Sequence, residues 1–311
     1  MYASILPKNQ NENLGVCVLL KPKVTIGICV RNGASTISEA IESIIAQDYP
    51  HELMEVIFVD DGSEDETLSV INSYVQKMDM KVKVFHHEWK GLGASRNVVV
   101  NNAEGKYIIW VDGDMILPPN HVRVQVEFME QNSKVGVAKA KYGIMAGGSM
   151  VEVLENAPFV ILDSINGSLD SKLPGTGGAI YRVEAIRQAG GFDEKLKGTG
   201  EDQDAAFRIK NLGWLIKRSP AIFYERRSRT WRMIWKKWIW YGFGDYDLYC
   251  KNRSIFSLFK MNPLAGFVNG LLQVAPAYKL IRKKFVFLLP FHMSLEMTAW
   301  CLGFIKKQIN R

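Results

Sequence analysis

Apolar runs and segments of helical periodicity alternate along the chain up to residue 111. The run VTIGICV at 24–30 is rich in β-branched residues and predicts a buried strand, and apolar residues at helical spacing over 35–47 predict the helix that follows it. The same alternation predicts further strands at 56–59, 83–85 and 107–111 and further helices at 65–77 and 94–102. Four strands that alternate with helices predict an α/β fold with a mostly parallel sheet covered by helices on both faces.

Acidic residues follow two strands of this predicted sheet. Asp60 and Asp61 end the second strand, and Asp112 and Asp114 end the fourth. Ligands of such sheets bind beyond the carboxyl ends of the strands, although DDGS at 60–63 is equally typical of a helix cap and turn. Two aspartates ~4 Å apart repel by roughly 4 kcal/mol at an effective dielectric of about 20. Mg²⁺ or Mn²⁺ would relieve that repulsion, so we favour a metal site over a solvated turn at 112–114.

A third acidic cluster, GEDQD at 200–204, opens a predicted helix. Acidic residues in a first turn favour the helix dipole, which accounts for one or two of these carboxylates. Glycine-rich segments at 176–182 and 190–200 surround the cluster. Flexible backbone around carboxylates is typical of a site that encloses a substrate, where an ionised aspartate can act as a general base.

Six motifs, in this order and spacing, resemble those of family 2 glycosyltransferases. They are DDGS at 60–63, GLGASRN at 91–97, DGD at 112–114, GGAIYR at 177–182, GGFDE at 190–194 and GEDQDAAFRI at 200–209. The resemblance covers residues 24–225, and the combination is specific although each motif alone is weak. It implies a GT-A fold, a nucleotide-sugar donor, a divalent metal and transfer with inversion at the anomeric carbon.

The resemblance also implies a role for each residue that matches a family motif. The donor nucleotide would contact Val30, Arg31, Asp60, Asp61, Arg96 and Asp112. Asp112 and Asp114 match the DxD motif, which holds the metal on the donor diphosphate, and Asp202 resembles the catalytic base. Candidates for contacts to the sugar, the acceptor or the diphosphate are Gly177, Gly178, Glu201, Arg227 and Arg229.

The chemistry of glycosyl transfer agrees with these roles. A metal held by Asp112 and Asp114 would neutralise the charge that grows on the leaving nucleoside diphosphate. Asp202 would remove the proton of an acceptor hydroxyl, whereas a phosphate acceptor is already ionised and would need Asp202 more for positioning. The QxxRW motif of the processive synthases of this family does not occur in the sequence, which favours a single sugar addition over polymerisation.

Charge is distributed unevenly along the chain. Residues 1–225 hold 23 Lys and Arg against 29 Asp and Glu, whereas residues 226–311 hold 16 against 3. A basic region of this kind attracts nucleic acid or anionic lipid. Its basic residues alternate with long apolar runs and no nucleic-acid motif occurs, so we predict a membrane surface and no nucleic acid as its partner. The predicted organisation is a lead-in at 1–22, a GT-A domain at 23–225 and a membrane-associated helical region at 226–311.

The apolar segments of the C-terminal region permit two arrangements. Trp231, Trp235 and Trp238 share one helix face, which either packs in a core or lies at lipid headgroup level. Residues 285–305 would form a helix of ~31 Å, close to the thickness of a bilayer core. Glu296 near its middle and the basic flanks favour interfacial or re-entrant helices on the cytoplasmic leaflet over a spanning hairpin.

The remaining features bear on location and substrates. The four cysteines form no CxxC pair, and the N-terminus lacks the basic start and apolar run of a signal peptide, so we predict the cytoplasmic side of the cell membrane. The acceptor would be a saccharide or a lipid-linked, polyprenyl-type molecule of cell-envelope glycan synthesis, and the family favours a UDP-sugar over a GDP-sugar donor. A catalytically inactive scaffold on the same fold is the alternative, and nucleotidyl transfer a more distant one. The complete set of Asp60, Asp112, Asp114 and Asp202 argues against the scaffold.

Overall fold

The computed structural model describes residues 23–145, 147–164, 173–255 and 257–310, and the predicted lead-in at 1–22 lies outside them. The strands are β1 (Val24–Val30), β2 (Met54–Asp61), β3 (Lys81–His87), β4 (Tyr107–Trp110), β5 (Met115–Ile116), β6 (Val135–Tyr142), β7 (Ala179–Arg182) and β8 (Leu215–Glu225). The helices are α1 (Ile37–Ile45), α2 (Thr67–Val75), α3 (Leu92–Asn102), α4 (His121–Gln131), α5 (Met150–Ser164), α6 (Val183–Gln188), α7 (Glu201–Asn211), α8 (Trp231–Lys251), α9 (Pro263–Ile281) and α10 (Leu289–Ile309). Short 3-10 turns occupy His51–Leu53, Leu258–Lys260 and Lys284–Leu288.

The strands form one sheet in the order β3-β2-β1-β4-β7-β6-β8-β5. The four strands predicted from the sequence are β1 to β4, and they are parallel to one another. On the other side of β4 the sheet is mixed, because β7 runs antiparallel to β4 and β6, and β5 runs antiparallel to β8. The α/β architecture is therefore confirmed, with antiparallel pairings confined to the second half of the sheet.

Helices cover both faces of the sheet, as the apolar pattern predicted. Alternate side chains of β2 enter different cores, because successive residues of a strand point to opposite faces. Val56 and Phe58 pack with residues of α1, α2 and α4, whereas Ile57 and Val59 pack with residues of α3, α6 and α7. Burial on both faces explains why β1 and β2 are continuous apolar runs rather than alternating ones.

The carboxyl ends of the parallel strands bring the predicted site residues to one edge. In the β1–β2 pair Val30 lies beside Asp60. β4 pairs with β1 and ends at Trp110, so Asp112 follows at the same edge. Strand order thus assembles chain segments that are far apart in sequence, which is the general arrangement of ligand sites in open α/β sheets.

The C-terminal helices pack through small residues. On α8, Gly242 lies against the Trp300 carbonyl of α10, and on α10, Gly303 lies against the Ile239 carbonyl of α8. A Cβ at either glycine would overlap the facing backbone, so the two helices approach as closely as glycine allows. A separate apolar cluster joins α5 to α9 and α10 and contains Leu154, Ala157, Ile161, Ala277, Val286 and Leu289.

The apolar side chains of α9 and α10 are distributed differently. Leu264 and Leu272 of α9 are each 72% exposed, whereas α10 buries Trp300 and also Glu296, which lies 3.0 Å from His292 Nε2. Two segments, Pro263–Ile281 and Lys284–Ile309, are long and apolar enough to cross a membrane, although half of the second is buried in the protein. On α8, Trp231 packs on the His292 ring of α10, so this tryptophan joins the interhelical core.

Candidate active site

Asp60 and Asp61 at the end of β2 are both buried, but their carboxylates have different partners. Asp60 Oδ2 lies 2.7 Å from Nδ1 of His86 on β3. Asp61 accepts backbone N–H groups, with Oδ1 2.8 Å from Lys90 N and Oδ2 3.0 Å from Gly91 N. Asp61 therefore fixes the turn that leads into α3, and Asp60 connects the ends of β2 and β3.

An aromatic side chain that the sequence analysis did not single out lies beside this edge. Trp89 is 50% exposed, and the Arg31 guanidinium lies 5.6 Å from its ring centroid. Lys197 Nζ lies 5.9 Å from the same ring, whereas Val30 is buried at the end of β1. An exposed ring between two cations offers a flat apolar surface with positive charge at its margin. The available signal is a tryptophan within the polar turn HHEWKG at 86–91.

Asp112 and Asp114 follow β4 and lie near a third carboxylate, that of Glu225. Antiparallel pairing of β5 with β8 sets Met115 beside Glu225, which brings the Glu225 carboxylate within electrostatic range of Asp114 and Asp112. Desolvation by the surrounding protein, Glu225 and Asp112 together raise the pKa of Asp114 to about 7. Desolvation also raises the pKa of Asp112, although the neighbouring Arg96 opposes that shift. This arrangement of acids carries a repulsion that a cation would relieve.

Asp112 and Asp114 fit a divalent cation that takes its other ligands from a bound phosphate. Within the described ranges, no group of three or more His, Cys, Asp or Glu side chains is arranged to hold a metal ion. Mg²⁺ is commonly bound by one or two carboxylates together with substrate phosphates and waters. Two partly exposed carboxylates at the mouth of the sheet therefore suit a metal that arrives with a phosphate ligand.

Arg96 on α3 connects the acidic cluster after β4 with the one that opens α7. Its guanidinium pairs with Glu201, and its Nη2 lies 3.9 Å from Asp112 Oδ1. Burial lowers the pKa of Arg96, but Glu201, Asp202 and Asp112 outweigh it and hold that pKa above its usual value. Burial raises the pKa of Glu201 to about 7 although Arg96 opposes the shift. Arg96 is thus a fixed positive charge between the two clusters.

The glycine-rich segment before β7 brings Asp112 and Asp202 to one wall. Asp202 Oδ2 accepts a hydrogen bond from the Thr176 backbone N–H at 3.3 Å. A Cβ at Gly177 would lie 2.5 Å from Asp112 Oδ2, so only glycine leaves room for that carboxylate. Gly178 has a φ of +69°, a conformation that favours glycine. The structure thus places Gly177 beside the predicted metal ligand Asp112, whereas Gly178 packs against the Phe223 ring.

Lys139 is a second residue that the sequence analysis missed. It lies in β6 and is buried, and its Nζ donates to the Gly177 carbonyl. Burial lowers the pKa of Lys139 to about 8, whereas Glu225, Asp112 and Asp202 oppose the shift. The available signal is a lysine inside the apolar strand VGVAKAKY, where a charge needs a partner.

The segment after β8 brings its arginines to different places. The Arg226 backbone N–H donates to the Asp114 carbonyl at 2.8 Å, which fixes the segment beside the acidic cluster. Arg227 is buried and its Nη1 lies 2.8 Å from Glu225 Oε1. The Arg229 side chain is 67% exposed. Arg227 thus joins the neighbourhood of Asp114, and Arg229 lies at the surface beyond it.

Helices α8 and α10 support the turn that precedes α7. Thr199 Oγ1 donates to Asp245 Oδ1 at 2.9 Å, and Trp300 Nε1 donates to Asp245 Oδ2 at 2.8 Å. Lys251 Nζ lies 2.7 Å from Asp204 Oδ1 within α7. The C-terminal helices therefore hold the start of α7, where Glu201 and Asp202 lie, which no local sequence pattern indicates.

Comparison with known proteins adds a family. The family model of glycosyl transferase family 2 matches residues 25–189. An uncharacterized glycosyltransferase of Rickettsia bellii is 33% identical over 198 residues, which are 60% of this chain and 27% of that protein. Poly(ribitol-phosphate) beta-N-acetylglucosaminyltransferase TarS of Staphylococcus aureus is 32% identical over 184 residues, 58% of this chain and 31% of TarS. The chain thus spans about a third or less of the length of these two relatives.

Solved structures show a similar fold at low sequence identity. The mannosyltransferase PcManGT from Pyrobaculum calidifontis, in complex with GDP-Man and Mn²⁺, matches with a TM-score of 0.69 and 19% identity over 94% of this chain and 88% of that one. Residues 1–349 of S. aureus TarS, in complex with UDP, match with a TM-score of 0.53 and 20% identity over 93% of this chain and 92% of that one. These matches extend across the C-terminal helices as well as the sheet.

Proposed function

Because the chain belongs to glycosyl transferase family 2, we propose that it transfers a sugar, with inversion, from a nucleoside diphosphate donor to a saccharide or lipid-linked acceptor. One observation carries this proposal: Asp112, Asp114, Arg96 and Asp202 meet at the carboxyl edge of the sheet. This set combines a place for a cation, a fixed positive charge and a carboxylate able to take a proton. Transfer of a sugar from a nucleotide donor to a hydroxyl acceptor uses all three.

The donor nucleotide would bind across the ends of β1 and β2. Val30, Arg31, Asp60 and Asp61 lie there, and the base would lie against the exposed face of Trp89. A half-exposed aromatic ring stacks on any base, so this contact gives affinity without selecting the nucleotide. We favour a UDP-sugar, in line with the UDP complex of TarS, whereas the GDP-Man complex of PcManGT represents the other class.

The leaving diphosphate would lie between acidic and basic side chains. Asp112 and Asp114 would hold Mg²⁺ or Mn²⁺, which when bound neutralises charge on the leaving group. Arg96 and Lys139 supply positive charge from the protein, and their burial strengthens its attraction for a phosphate. Both side chains are held before any donor arrives, Arg96 by Glu201 and Lys139 by the glycine-rich segment.

Asp202 would accept the proton of an acceptor hydroxyl. Its Oδ2 is oriented by the Thr176 N–H, and Glu201 beside it is fixed by Arg96. The acceptor oxygen would attack the anomeric carbon from the face opposite the diphosphate, which inverts that carbon. Gly177 would leave room for the sugar ring beside Asp112, and Gly178 would allow the turn that packs on Phe223.

The C-terminal region would hold the enzyme at the cytoplasmic face of a membrane. Residues 226–311 carry a net charge of +13, from 16 basic and 3 acidic residues, and Leu264 and Leu272 are exposed. Basic residues attract anionic lipid headgroups, and exposed leucines gain from contact with acyl chains. In this proposal residues 23–225 form the catalytic domain and the following helices dock it on the bilayer.

Release of nucleoside diphosphate from a panel of UDP- and GDP-sugars tests the proposal. The full chain in detergent would be assayed with and without Mn²⁺ or Mg²⁺, beside Asp112→Ala and a matched control, Asp79→Ala, in the exposed turn before β3. We expect metal-dependent turnover of one donor that is lost in the first variant and kept in the second. Absence of both turnover and calorimetric donor binding would overturn the transferase assignment.

A further inference from the structure

A cavity of about 300 Å³ lies between the acidic cluster and the C-terminal helices. Its walls come from the segment after β6, from α5, from the segment after β8 and from the end of α9. Glu225 is part of its lining, and the backbone N–H of Arg226, also in the lining, donates to the Asp114 carbonyl at 2.8 Å, so the cavity begins beside the proposed metal site. At the other side Ile281 ends the exposed helix α9. The cavity therefore connects the reacting centre with the surface proposed to face lipid.

The lining of the cavity combines cations with apolar side chains. Arg226, Arg227 and Arg229 contribute three positive charges, and Ile144, Val153 and Val160 form an apolar wall. Two carboxylates also line it, but each already has a partner: Glu225 pairs with Arg227, and Glu152 accepts the Ser149 N–H at 2.7 Å. Arg226 also pairs with Glu39 outside the lining at 2.7 Å, so among the described residues the positive charge left for a ligand is that of Arg229, together with the free Nη2 of Arg227.

The hydrogen bonds of the arginines leave donors for a ligand. Arg227 is buried, and within the described part of the chain its Nη2 has no hydrogen-bond acceptor. Arg229 is largely exposed, and its nearest carboxylate oxygen, on Glu152, lies 3.6 Å away, beyond hydrogen-bond distance. A buried guanidinium N–H without an acceptor is costly, and a guanidinium is suited to two oxygens of one phosphate.

We infer that this cavity binds the acceptor, and that the acceptor is a lipid phosphate. Its phosphate would lie at Arg227 and Arg229, and its hydrocarbon chain would pass Val153 and Ile281 toward the exposed face of α9. The basic tripeptide at 282–284, exposed directly after Ile281, would favour entry of an anionic headgroup. A neutral saccharide would offer no charge to Arg227 and Arg229 and would place hydroxyls against the apolar wall. This inference rests on the proposed function, since it identifies the acceptor of that reaction.

The group transfer balances without a separate base. An ionised phosphate oxygen of the lipid forms the bond to the anomeric carbon while the bond from that carbon to the donor diphosphate oxygen breaks. The electron pair of the broken bond leaves with the nucleoside diphosphate, and the products are that diphosphate and a lipid-phosphate sugar. No proton is transferred, so Asp202 would orient the sugar and the phosphate rather than accept a proton.

Donor turnover by the full chain in detergent, with and without added acceptor, tests the inference. The probes are farnesyl phosphate, a longer polyprenyl phosphate, farnesol and inorganic phosphate. We expect the two lipid phosphates to accelerate nucleoside diphosphate release at least tenfold and to become glycosylated, as seen by mass spectrometry. Equal acceleration by farnesol or by inorganic phosphate would overturn the inference, because the site would then not require the combination of phosphate and lipid.

Variants of the cavity separate acceptor binding from donor binding. Arg229→Gln removes a cation, and Val160→Trp fills the cavity. Each variant should raise the KM for farnesyl phosphate about tenfold and leave the KM for the donor unchanged. Arg232→Gln, an exposed arginine of α8 outside the cavity lining, is the matched control and should change neither. A rise in the donor KM instead would assign the arginines to the donor diphosphate and overturn the inference. If the donor is still hydrolysed but no lipid phosphate reacts, the acceptor site alone is rejected. Loss of donor binding would reject the proposed function as well.

Discussion

The sheet region and the C-terminal helices differ in the kind of side chain that each places in an unfavourable environment. At the carboxyl edge of the sheet, charged groups such as Asp60, Arg96 and Glu201 are buried. On α9 the reverse holds, because Leu264 and Leu272 are exposed. Each arrangement is unfavourable in water alone, and each becomes favourable with a suitable partner, an ionic ligand in the first case and an apolar phase in the second. The two regions are thus prepared for different environments.

The same contrast separates α9 from α10. Both are apolar and of spanning length, yet α10 turns Glu296, His292 and Trp300 into the protein, whereas α9 presents leucines outward. Glu296 therefore has a protein partner and does not have to enter lipid. The charge of Glu296 is then no argument against an apolar environment for this helix. Composition alone does not distinguish a helix that packs from one that is exposed.

The largest expected effect separates catalysis from membrane binding. Asp112→Asn should lower kcat/KM about a thousandfold, because it removes a carboxylate that positions positive charge on the leaving group. Binding of the same variant to anionic vesicles, measured by sedimentation, should equal that of the unmodified chain. A parallel loss of vesicle binding would mean that the two regions do not act separately.

The reverse experiment removes apolar surface from α9. The double change Leu264→Gln and Leu272→Gln should weaken partition into phosphatidylglycerol vesicles by at least about a hundredfold, since burial of each leucine contributes about 1.5–3 kcal/mol. Leu212→Gln, at an exposed leucine after α7, is the matched control and should leave partition unchanged. Donor hydrolysis in detergent should be unaffected by all three changes. Equal weakening by the control would show that binding is not localised to α9.

Acidification should act first on the sheet region. His121 is buried, with Nδ1 2.7 Å from the Ile222 carbonyl, and burial lowers its pKa from 6.5 to about 4. The unfolded chain therefore takes up a proton that the folded chain does not, and stability is lost as pH falls below 6.5. We expect this residue to reduce the free energy of unfolding by about 2 kcal/mol between pH 6.5 and pH 5. His121→Asn should flatten the pH dependence of denaturant unfolding by that amount, and an unchanged slope would contradict the assignment.

The smallest effect tests the contact between α8 and α10. Gly303→Ala inserts a methyl group against the Ile239 carbonyl, so the helices must separate. We expect the free energy of unfolding, measured by thermal denaturation, to fall by about 1–2 kcal/mol. Leu302→Ala, at the half-exposed neighbouring position, should cost less. Because α8 also holds Thr199, the glycine variant should lower kcat more than its effect on stability alone explains. Unchanged kcat would show that the turn before α7 is held without α8.

Much of the site could be predicted because it follows from local patterns. The apolar runs of β1, β2 and β4 identify buried strands, and acids at their ends, such as Asp60 and Asp112, lie where strand order places ligands. Asp202 and Glu201 at the start of α7 follow from the helix signal and the family motif. Their assigned roles as ligands and base stay predictions that the proposed assays address.

Other residues could not be predicted because their roles depend on distant partners. Lys139 acquires its place only when β6 packs beside β7 and the glycine-rich segment. Trp89 comes to lie beside the Arg31 guanidinium only in the folded chain. Asp245 on α8 meets Thr199 across a long stretch of chain, and its helix periodicity gives no indication of that contact. Pairings of this kind arise from tertiary structure, which a single sequence does not encode in any short window.

The hydrogen bond from Thr199 to Asp245 has a consequence for the order in which parts of this protein fold. A ribosome releases the sheet first, since domains generally form from the N-terminal side as the chain emerges. Asp245 and Trp300, which secure the turn before α7, are translated only afterwards. The turn before α7 is therefore completed by the helices that emerge last, so a nascent chain gains the acidic cluster after β4 before the start of α7 is fixed.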